Sequence, residues 1–523
     1  MQMKYFNTTG ICIPSQHYMV DVSKKMEQIE ALIHQGNYFT INRIRQYGKT
    51  TMLSLLEEYL KEKYYVINIS FEGVGEEYFS SEAEFVRGFI HSVEEIMEYT
   101  PEISRLSGIW MKDTEEITHM YGLSKHISEF CIECDKRALL MIDEVDKSND
   151  NQMFLSFLGM LRNKYLQRIK IPTFHSVILT GVYHVKNFHL RQEEEKKYNA
   201  PWNVAADFTV DMAFSVSEIE SMLLEYEQEH DTGMNRQSIA EEIYYYTSGH
   251  PFLVSYISRK IDERKQAGRE KNKSWSRQDV RYAIRDMLKG TNPLFDDLVK
   301  TLENNKEFFR LIKDMLLNGK SISFNALEPV MNLGINFGVF KDISGRLAVS
   351  NLIFEECLYN YMIAKQVVQG AIIKNNQGNF VENGHLNMKK ILNKFQELMK
   401  EEYRNEDKEF LERHGRLLFL CFIKPVINKI GYYIVEPSTR DDNRMNLVIF
   451  YGEDKFIVEL KLWYNRKYNE KRLEAFADFM NSRHQKKGYL ITFYFYNGRE
   501  KMHEDYTQEL HQYKGKEIYE VVV

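Results

Sequence analysis

Gly48-Lys49-Thr50-Thr51 opens a run of helix-forming residues, and far downstream Leu139-Leu140-Met141-Ile142 ends in Asp143-Glu144. A Gly-Lys-Thr loop at the start of a helix can cradle phosphates on its backbone N–H groups. Its Lys reaches the terminal phosphates, and its Thr hydroxyl goes to Mg²⁺. Four apolar residues ending in two acids read as a buried strand that delivers both carboxylates to one place. Asp143 then suits the Mg²⁺ side of such a site, and Glu144 suits the base that orients an attacking water. Thr180, at the end of another apolar run, either reaches a terminal phosphate or caps the turn before Gly181. The combination implies a nucleotide.

These residues need elements that hold them. Tyr38-Phe39-Thr40-Ile41-Asn42 is a short β-rich run leading into the loop, and Met52, Leu53, Leu55, Leu56 and Leu60 then recur at helical spacing. Further strands are predicted at 64–71 and 174–180, with helices at 81–99, 123–134 and 152–167. Strands alternating with helices predict an α/β fold, a mostly parallel sheet covered on both faces. From Ser215 the pattern becomes helical, with segments at 217–227, 236–247, 251–266, 277–289 and 305–317. Residues 337–350 read as a β-hairpin, so 290–365 is expected to be a winged-helix-like module. The boundaries that follow are 1–214 for an ATPase-type core, 215–289 for a helical lid, 290–365 for the winged helix, 366–386 for a linker and 387–523 for a last α/β domain.

The bulk of the sequence excludes several classes. A chain of 523 residues is long for one core, and its 43% hydrophobic and 28% charged residues are ordinary for a globular protein. The formal net charge of −6 gives no general basic field for nucleic acid, so any DNA contact must be local. Five Cys are too few and too scattered for a disulfide framework; Cys131 and Cys134 lack a second pair to make a zinc site. No stretch is apolar for long enough to cross a membrane, and Met1 is followed by polar residues. The expected location is cytoplasmic.

Residues 5–260 resemble the AAA-like P-loop ATPases of the signal-transducing (STAND) and archaeal-ATPase clade. The resemblance rests on Asn42–Thr51, Ile142–Lys147, Leu179-Thr180-Gly181, Pro201–Ala205 and Thr247-Ser248-Gly249-His250-Pro251. It implies ATP and Mg²⁺ as ligands, with Arg43, Gly48, Lys49, Thr50, Thr51, Asp143 and Thr180 around the nucleotide. Thr50 and Asp143 would serve the metal, and His250 and Pro251 would begin the lid near ATP. Slow regulatory turnover is implied, not a motor. Two departures stand out: Arg43 replaces the first Gly of the usual loop, and Ile44 replaces a frequent Pro. No arginine finger is identified; Arg162, Arg168 and Arg191 all qualify.

Near the C-terminus, Asn446 to Lys461 reads as a hairpin folded about Tyr451–Asp454, which sets Asn446 opposite Glu459 and on one face with Lys461. Charges on an apolar strand need a reason, because buried charges are costly unpaired. The block 387–523 resembles the PD-(D/E)XK nuclease fold, in which an Asp and a Glu hold the metal and a Lys steadies the attacking water. That resemblance puts Glu459 at a metal position and makes Asn446, Glu459 and Lys461 the catalytic set. Asn446 stands where the family has Asp, which removes one charged ligand, and Ala475 stands where a Gln is frequent. Asp442 and Glu436 are upstream substitutes. The expectation is an ATP-dependent regulatory switch controlling a nuclease-like, degenerate effector. Two alternatives stay open: a Mg²⁺-dependent DNA endonuclease with a structural ATP site, and a non-catalytic ATP-binding scaffold. The partners that follow are ATP, and DNA or a protein through the winged-helix and C-terminal domains, with oligomers allowed and no membrane.

Overall fold

The fold was read from a computed structural model. It describes residues 3–523 apart from 44–45, 146–150, 182–201, 268–272, 317–321, 369–379, 383, 403–414, 416–417, 421, 425, 428–430, 436–443, 463–465 and 494–506. Ile44, Lys147, Arg191, Pro201, Glu436 and Asp442, named above, therefore lie outside the described residues. The chain divides into two compact units. The first comprises Met1–Tyr244, Ser248–Val280 and Asn336–Gly338. The second comprises Tyr245–Thr247, Arg281–Ile335 and Val339–Val523.

The first unit is built on a four-stranded parallel sheet in the order β1-β4-β3-β2, with β1 at Phe39–Asn42, β2 at Tyr65–Ser70, β3 at Ala138–Asp143 and β4 at Ser176–Gly181. Every residue of β1, β3 and β4 is buried, as expected for parallel strands covered on both faces. Successive side chains go to opposite faces. Leu140, Ile142, Val177 and Leu179 join helices Glu82–Tyr99, Met120–Glu133 and Gln152–Gln167 in one core. Leu139, Met141, Ile178, Phe39 and Ile41 join helices Ser23–His34 and Lys49–Leu60 in another. After the sheet come helices Val216–His230 and Arg236–Thr247, then Pro251–Gln266, where the sequence predicted helices. Ser215 starts the first of these with a capping box, accepting from Glu218 N while the Glu218 side chain accepts from Ser215 N.

In the second unit, helices Pro293–Asn304, Lys306–Leu316 and Pro329–Asn336 precede a hairpin of β5 (Phe340–Ile343) and β6 (Arg346–Val349), which Ser323 extends by one bridge to Arg346. The hairpin packs on the helices through Phe340 and Phe308, whose ring centroids are 5.3 Å apart. Helix Leu352–Val368 follows, then a small hairpin of β7 (Val381–Glu382) and β8 (His385–Leu386), where the sequence suggested only linker. The last segment carries a six-stranded sheet, β13-β14-β12-β11-β10-β9. Its strands are β9 Gly431–Val435, β10 Arg444–Tyr451, β11 Asp454–Leu462, β12 Lys487–Phe493, β13 Gln508–Tyr513 and β14 Lys516–Val522. β9, β10 and β11 pair antiparallel, β11, β12 and β14 parallel, and β13 closes the edge antiparallel to β14.

Candidate nucleotide-binding site

β1 ends at Asn42, and helix Lys49–Leu60 begins seven residues later, so the intervening loop stands at the C-terminal end of the sheet. Gly48 caps the helix at φ 76°, in the left-handed region that glycine occupies at little cost. Gln46, at φ 60°, takes the same conformation without that freedom. Lys49 is 5% exposed and donates from Nζ to Arg43 O at 2.9 Å, which folds the ammonium across the loop. Thr50 remains exposed at the mouth, and its hydroxyl donates to Asp143 Oδ2 at 2.6 Å.

Asp143 is the hub. Its Oδ1 accepts from the Thr180 hydroxyl and from Glu144 N, the latter at 2.9 Å. Neighbouring strands β3 and β4 thus deliver a carboxylate and a hydroxyl to the place where Thr50 arrives from the helix. Thr180 therefore bonds the acidic residue, and does not merely cap the turn before Gly181. Glu144 follows at φ 55°, an uncommon conformation for a non-glycine residue, immediately after the strand. The hydroxyl and carboxylate oxygens of Thr50 and Asp143 fit a hard divalent ion such as Mg²⁺, which takes oxygen ligands.

Arg43 and Thr51 face other tasks. The Arg43 guanidinium donates to Asn42 O at 2.8 Å, and Arg43 N donates to Gly181 O at 3.0 Å, extending the β1–β4 pairing. Thr51 Oγ1 accepts from Cys12 N at 3.1 Å and so ties the entry segment to the helix. Arg168 lies over the Tyr165 ring, 3.6 Å from its centroid, in helix-end surroundings. Arg162 sits on helix Gln152–Gln167.

The turn before helix Pro251–Gln266 approaches the loop. Ser248 and Gly249 are both left-handed, at φ 47° and 74°, and Pro251 occupies the first turn of helix Pro251–Gln266. His250 is buried, and its ring meets Tyr47 edge-on with centroids 4.7 Å apart. Burial pushes the His250 imidazole down to about 3 and the Tyr47 hydroxyl up to about 12. This contact is therefore between neutral rings near pH 7. Tyr47 is a site residue that the motif alone does not single out; its signal is an aromatic inside an otherwise polar phosphate loop.

A family model described as an AAA-like domain matches residues 7–274. The chain belongs to the AAA-like domain family. No curated protein matches it. Among solved structures it is similar to the Walker-type ATPase PABY2304 of Pyrococcus abyssi, at 12% identity and a TM-score of 0.47 over 68% of this chain and 99% of that one. It is similar to the Thermotoga maritima RuvB Holliday junction branch migration motor at 13% identity and a TM-score of 0.33, over 65% and 93%. For the Aeropyrum pernix ORC1 protein, solved in complex with DNA, the values are 9%, 0.30, 67% and 94%. Likeness at this level sets no function.

The AAA-like domain accounts for the first unit; the last sheet needs its own reading. Asn446 pairs directly with Glu459 in the β10–β11 register, as the hairpin predicted, and Tyr451 pairs with Asp454 at its turn. Asn446, Glu459 and Lys461 are each 1% exposed. Lys461 Nζ reaches Glu520 Oε1 on β14 at 3.1 Å, across Thr492 of β12, whose hydroxyl donates to the same oxygen. His511 Nε2 on β13 meets Glu520 Oε2 at 2.6 Å. Burial alone would raise the Glu520 carboxyl, but Lys461, His511 and Thr492 outweigh it and hold it at about 2. The same contact raises the His511 imidazole above its ordinary value. Glu520, Thr492 and His511 were missed from the sequence. A carboxylate between Tyr519 and Val521 was the available signal, the same one that singled out Glu459.

A divalent metal fits this stripe poorly. Asn446 brings a neutral amide, Lys461 pairs with Glu520, and no group of three His, Cys, Asp or Glu that could hold a metal occurs among the described residues. Ala475 lies half-buried on helix Arg466–Ser482 and supplies no ligand.

Proposed function

We propose that the AAA-like domain binds ATP with Mg²⁺ and hydrolyses it slowly, as a regulatory switch acting on the second unit. The observation that carries this is the convergence of Thr50 and Thr180 on the Asp143 carboxylate beside a buried Lys49. On this reading Lys49 leaves Arg43 O for the terminal phosphates, and the loop N–H groups take the phosphate oxygens. Thr50, oriented by Asp143, offers its oxygen to the ion, and Mg²⁺ supplies charge neutralisation there when bound. Glu144 accepts the proton of the attacking water, and Thr180 fixes the rotamer of Asp143. His250 and Pro251 bring the lid against the loop through Tyr47. The STAND-like assignment rests on the same elements, and turnover without a motor role is part of it.

The three helices and hairpin at 293–349 support a winged-helix module, a surface for DNA or a protein partner. For the last domain, Asn446 opposite Glu459 and Lys461 bound to Glu520 favour a nuclease-derived module that recognises a partner without cutting it.

The test is ATP hydrolysis by purified protein, with and without DNA, beside Glu144→Gln. Wild type should turn over slowly. The variant should bind ATP equally and lose roughly two or more orders of magnitude in rate. No hydrolysis by wild type under either condition leaves the ATP-binding scaffold as the reading. Mg²⁺-dependent DNA cleavage that survives Lys49→Ala leaves the endonuclease.

A further inference from the structure

The second unit contains a cavity of about 390 Å³ lined by none of the residues assigned above. Helix Leu352–Val368 contributes Glu356 and Asn360 to the lining, four residues apart and therefore on one face. Leu288 and Ile427 add an apolar wall, and the exposed Lys289 lies where the cavity meets solvent.

Two polar atoms of this lining are unsatisfied. The Asn360 side chain hydrogen-bonds the Glu356 carboxyl. Asn360 Oδ1 has no hydrogen-bond partner among the described residues, so the amide donates through Nδ2. Glu356 Oε2 has no partner either, and Glu356 is 5% exposed. Buried polar atoms are seldom left unpaired, because the hydrogen bonds given up to water are then not replaced. The cavity that both side chains line is where a partner can enter.

The protonation of Glu356 narrows the ligand. Burial pushes its carboxyl up, with Lys424 and Asn360 opposing the shift, which favours the neutral form. A neutral carboxyl that accepts from Asn360 Nδ2 on one oxygen carries its proton on the other, and that O–H donates. One donor, at Glu356 Oε2, then stands beside one acceptor, Asn360 Oδ1. A ring nitrogen flanked by an exocyclic amino group complements them, the nitrogen accepting and the amino group donating. Adenine and cytosine carry that edge, and uracil carries its reverse. Leu288 and Ile427 suit the apolar faces of such a ring, and the volume falls in the range of small-molecule sites. We infer that this cavity binds a small planar aminoheterocycle of the adenine or cytosine type, its ring nitrogen on Glu356 and its amino group on Asn360.

The test is calorimetric titration of the full chain with cytidine and uridine, which differ at that edge. An oligo-dC decamer shows whether the base arrives free or on a strand. Cytidine or the decamer should bind saturably, and uridine about tenfold more weakly or worse. Glu356→Leu and Asn360→Leu should each weaken cytidine binding about tenfold or more, the scale of one hydrogen bond lost in a closed site. Glu356→Gln should keep the affinity, since its amide accepts from Asn360 and donates to the ligand as the neutral acid does. Lys49→Ala should leave it unchanged, which separates this cavity from the phosphate loop. Absence of saturable binding for both cytidine and the decamer overturns the inference. So does uridine bound as tightly as cytidine, a comparison that needs no variant and holds even where a leucine substitution fails to fold. A loss in Lys49→Ala, or wild-type affinity in folded Glu356→Leu and Asn360→Leu proteins, does the same.

Discussion

Lys461 Nζ lies 3.1 Å from Glu520 Oε1, and both side chains are buried. The two strands that carry them are separated by β12, so the ion pair spans the middle of the sheet, with Thr492 beneath it and His511 on the far oxygen. A lysine read from the sequence as a catalytic group also takes part in a buried ion pair within the sheet.

Removing one member of a buried pair leaves the other charge uncompensated. Lys461→Met should cost about 3–5 kcal/mol. The double variant Lys461→Met with Glu520→Leu should recover much of that loss. Urea unfolding followed on the second unit's signal measures both. A single variant with wild-type stability would remove the pair from the structural account.

The same cluster predicts two pH limits. Glu520 titrates lower folded than unfolded, so its contribution is complete above about 4.5 and is lost as pH falls towards about 2. His511 titrates higher folded than unfolded. Its contribution is complete below the ordinary histidine range and is lost as pH rises through the raised folded value. His511→Gln should flatten the alkaline limb of a Tm-versus-pH curve and leave the acid limb. An alkaline limb unchanged in the variant would assign that limb to another group.

Asn446→Asp restores the acid of the nuclease pattern directly opposite Glu459. Two buried carboxylates facing each other repel, so the metal-free variant should melt below wild type. Mn²⁺ should recover part of the loss, while wild type should not respond. DNA cleavage by the variant, absent from wild type, would show that the missing carboxylate was the whole deficit. With Lys461 held by Glu520, the expected result is metal binding without cleavage.

ATP with Mg²⁺ should raise the melting temperature, since a ligand bound by the native state alone stabilises it by about 2.7 kcal/mol at a hundredfold excess over Kd. For a domain of this size the rise is on the order of 5 °C. Lys49→Ala should abolish it, because the ammonium is the loop's charge for the phosphates. A full shift in that variant would place the nucleotide elsewhere.

Much of the first site was legible because its signals are local. Strand, loop and helix around Gly48-Lys49-Thr50 follow from adjacent residues, and the Asp143 strand from four apolar neighbours. The hairpin setting Asn446 against Glu459 was equally local, and its register was read correctly. The helices at 293–304, 329–336 and 352–368 were among those not anticipated. The first had a usable signal, since Asn292 caps it ahead of Pro293. β13 and β14 were both missed; in β13 the alternating half-exposed, polar residues resemble a surface segment. The partner of Lys461 was out of reach for a different reason. It depends on β14 lying two places from β11, which is a property of sheet order and not of any window of sequence.

The Gly249 turn has a mechanical consequence. A Cβ there would stand 1.9 Å from Phe214 O, and Phe214 N donates to Gly249 O at 2.7 Å, so turn and segment are clamped backbone to backbone. The segment before Phe214 is itself anchored: Val210 and Met212 are buried with β1, and Phe208 stacks on Phe39 at 5.8 Å. Residues 208–214 therefore form a tether from the first strand of the sheet to the turn that carries His250. Ser248-Gly249, left-handed and boxed in by Phe214, leaves little room for helix Pro251–Gln266 to shift alone, and the tether links that turn to the strand that feeds the phosphate loop.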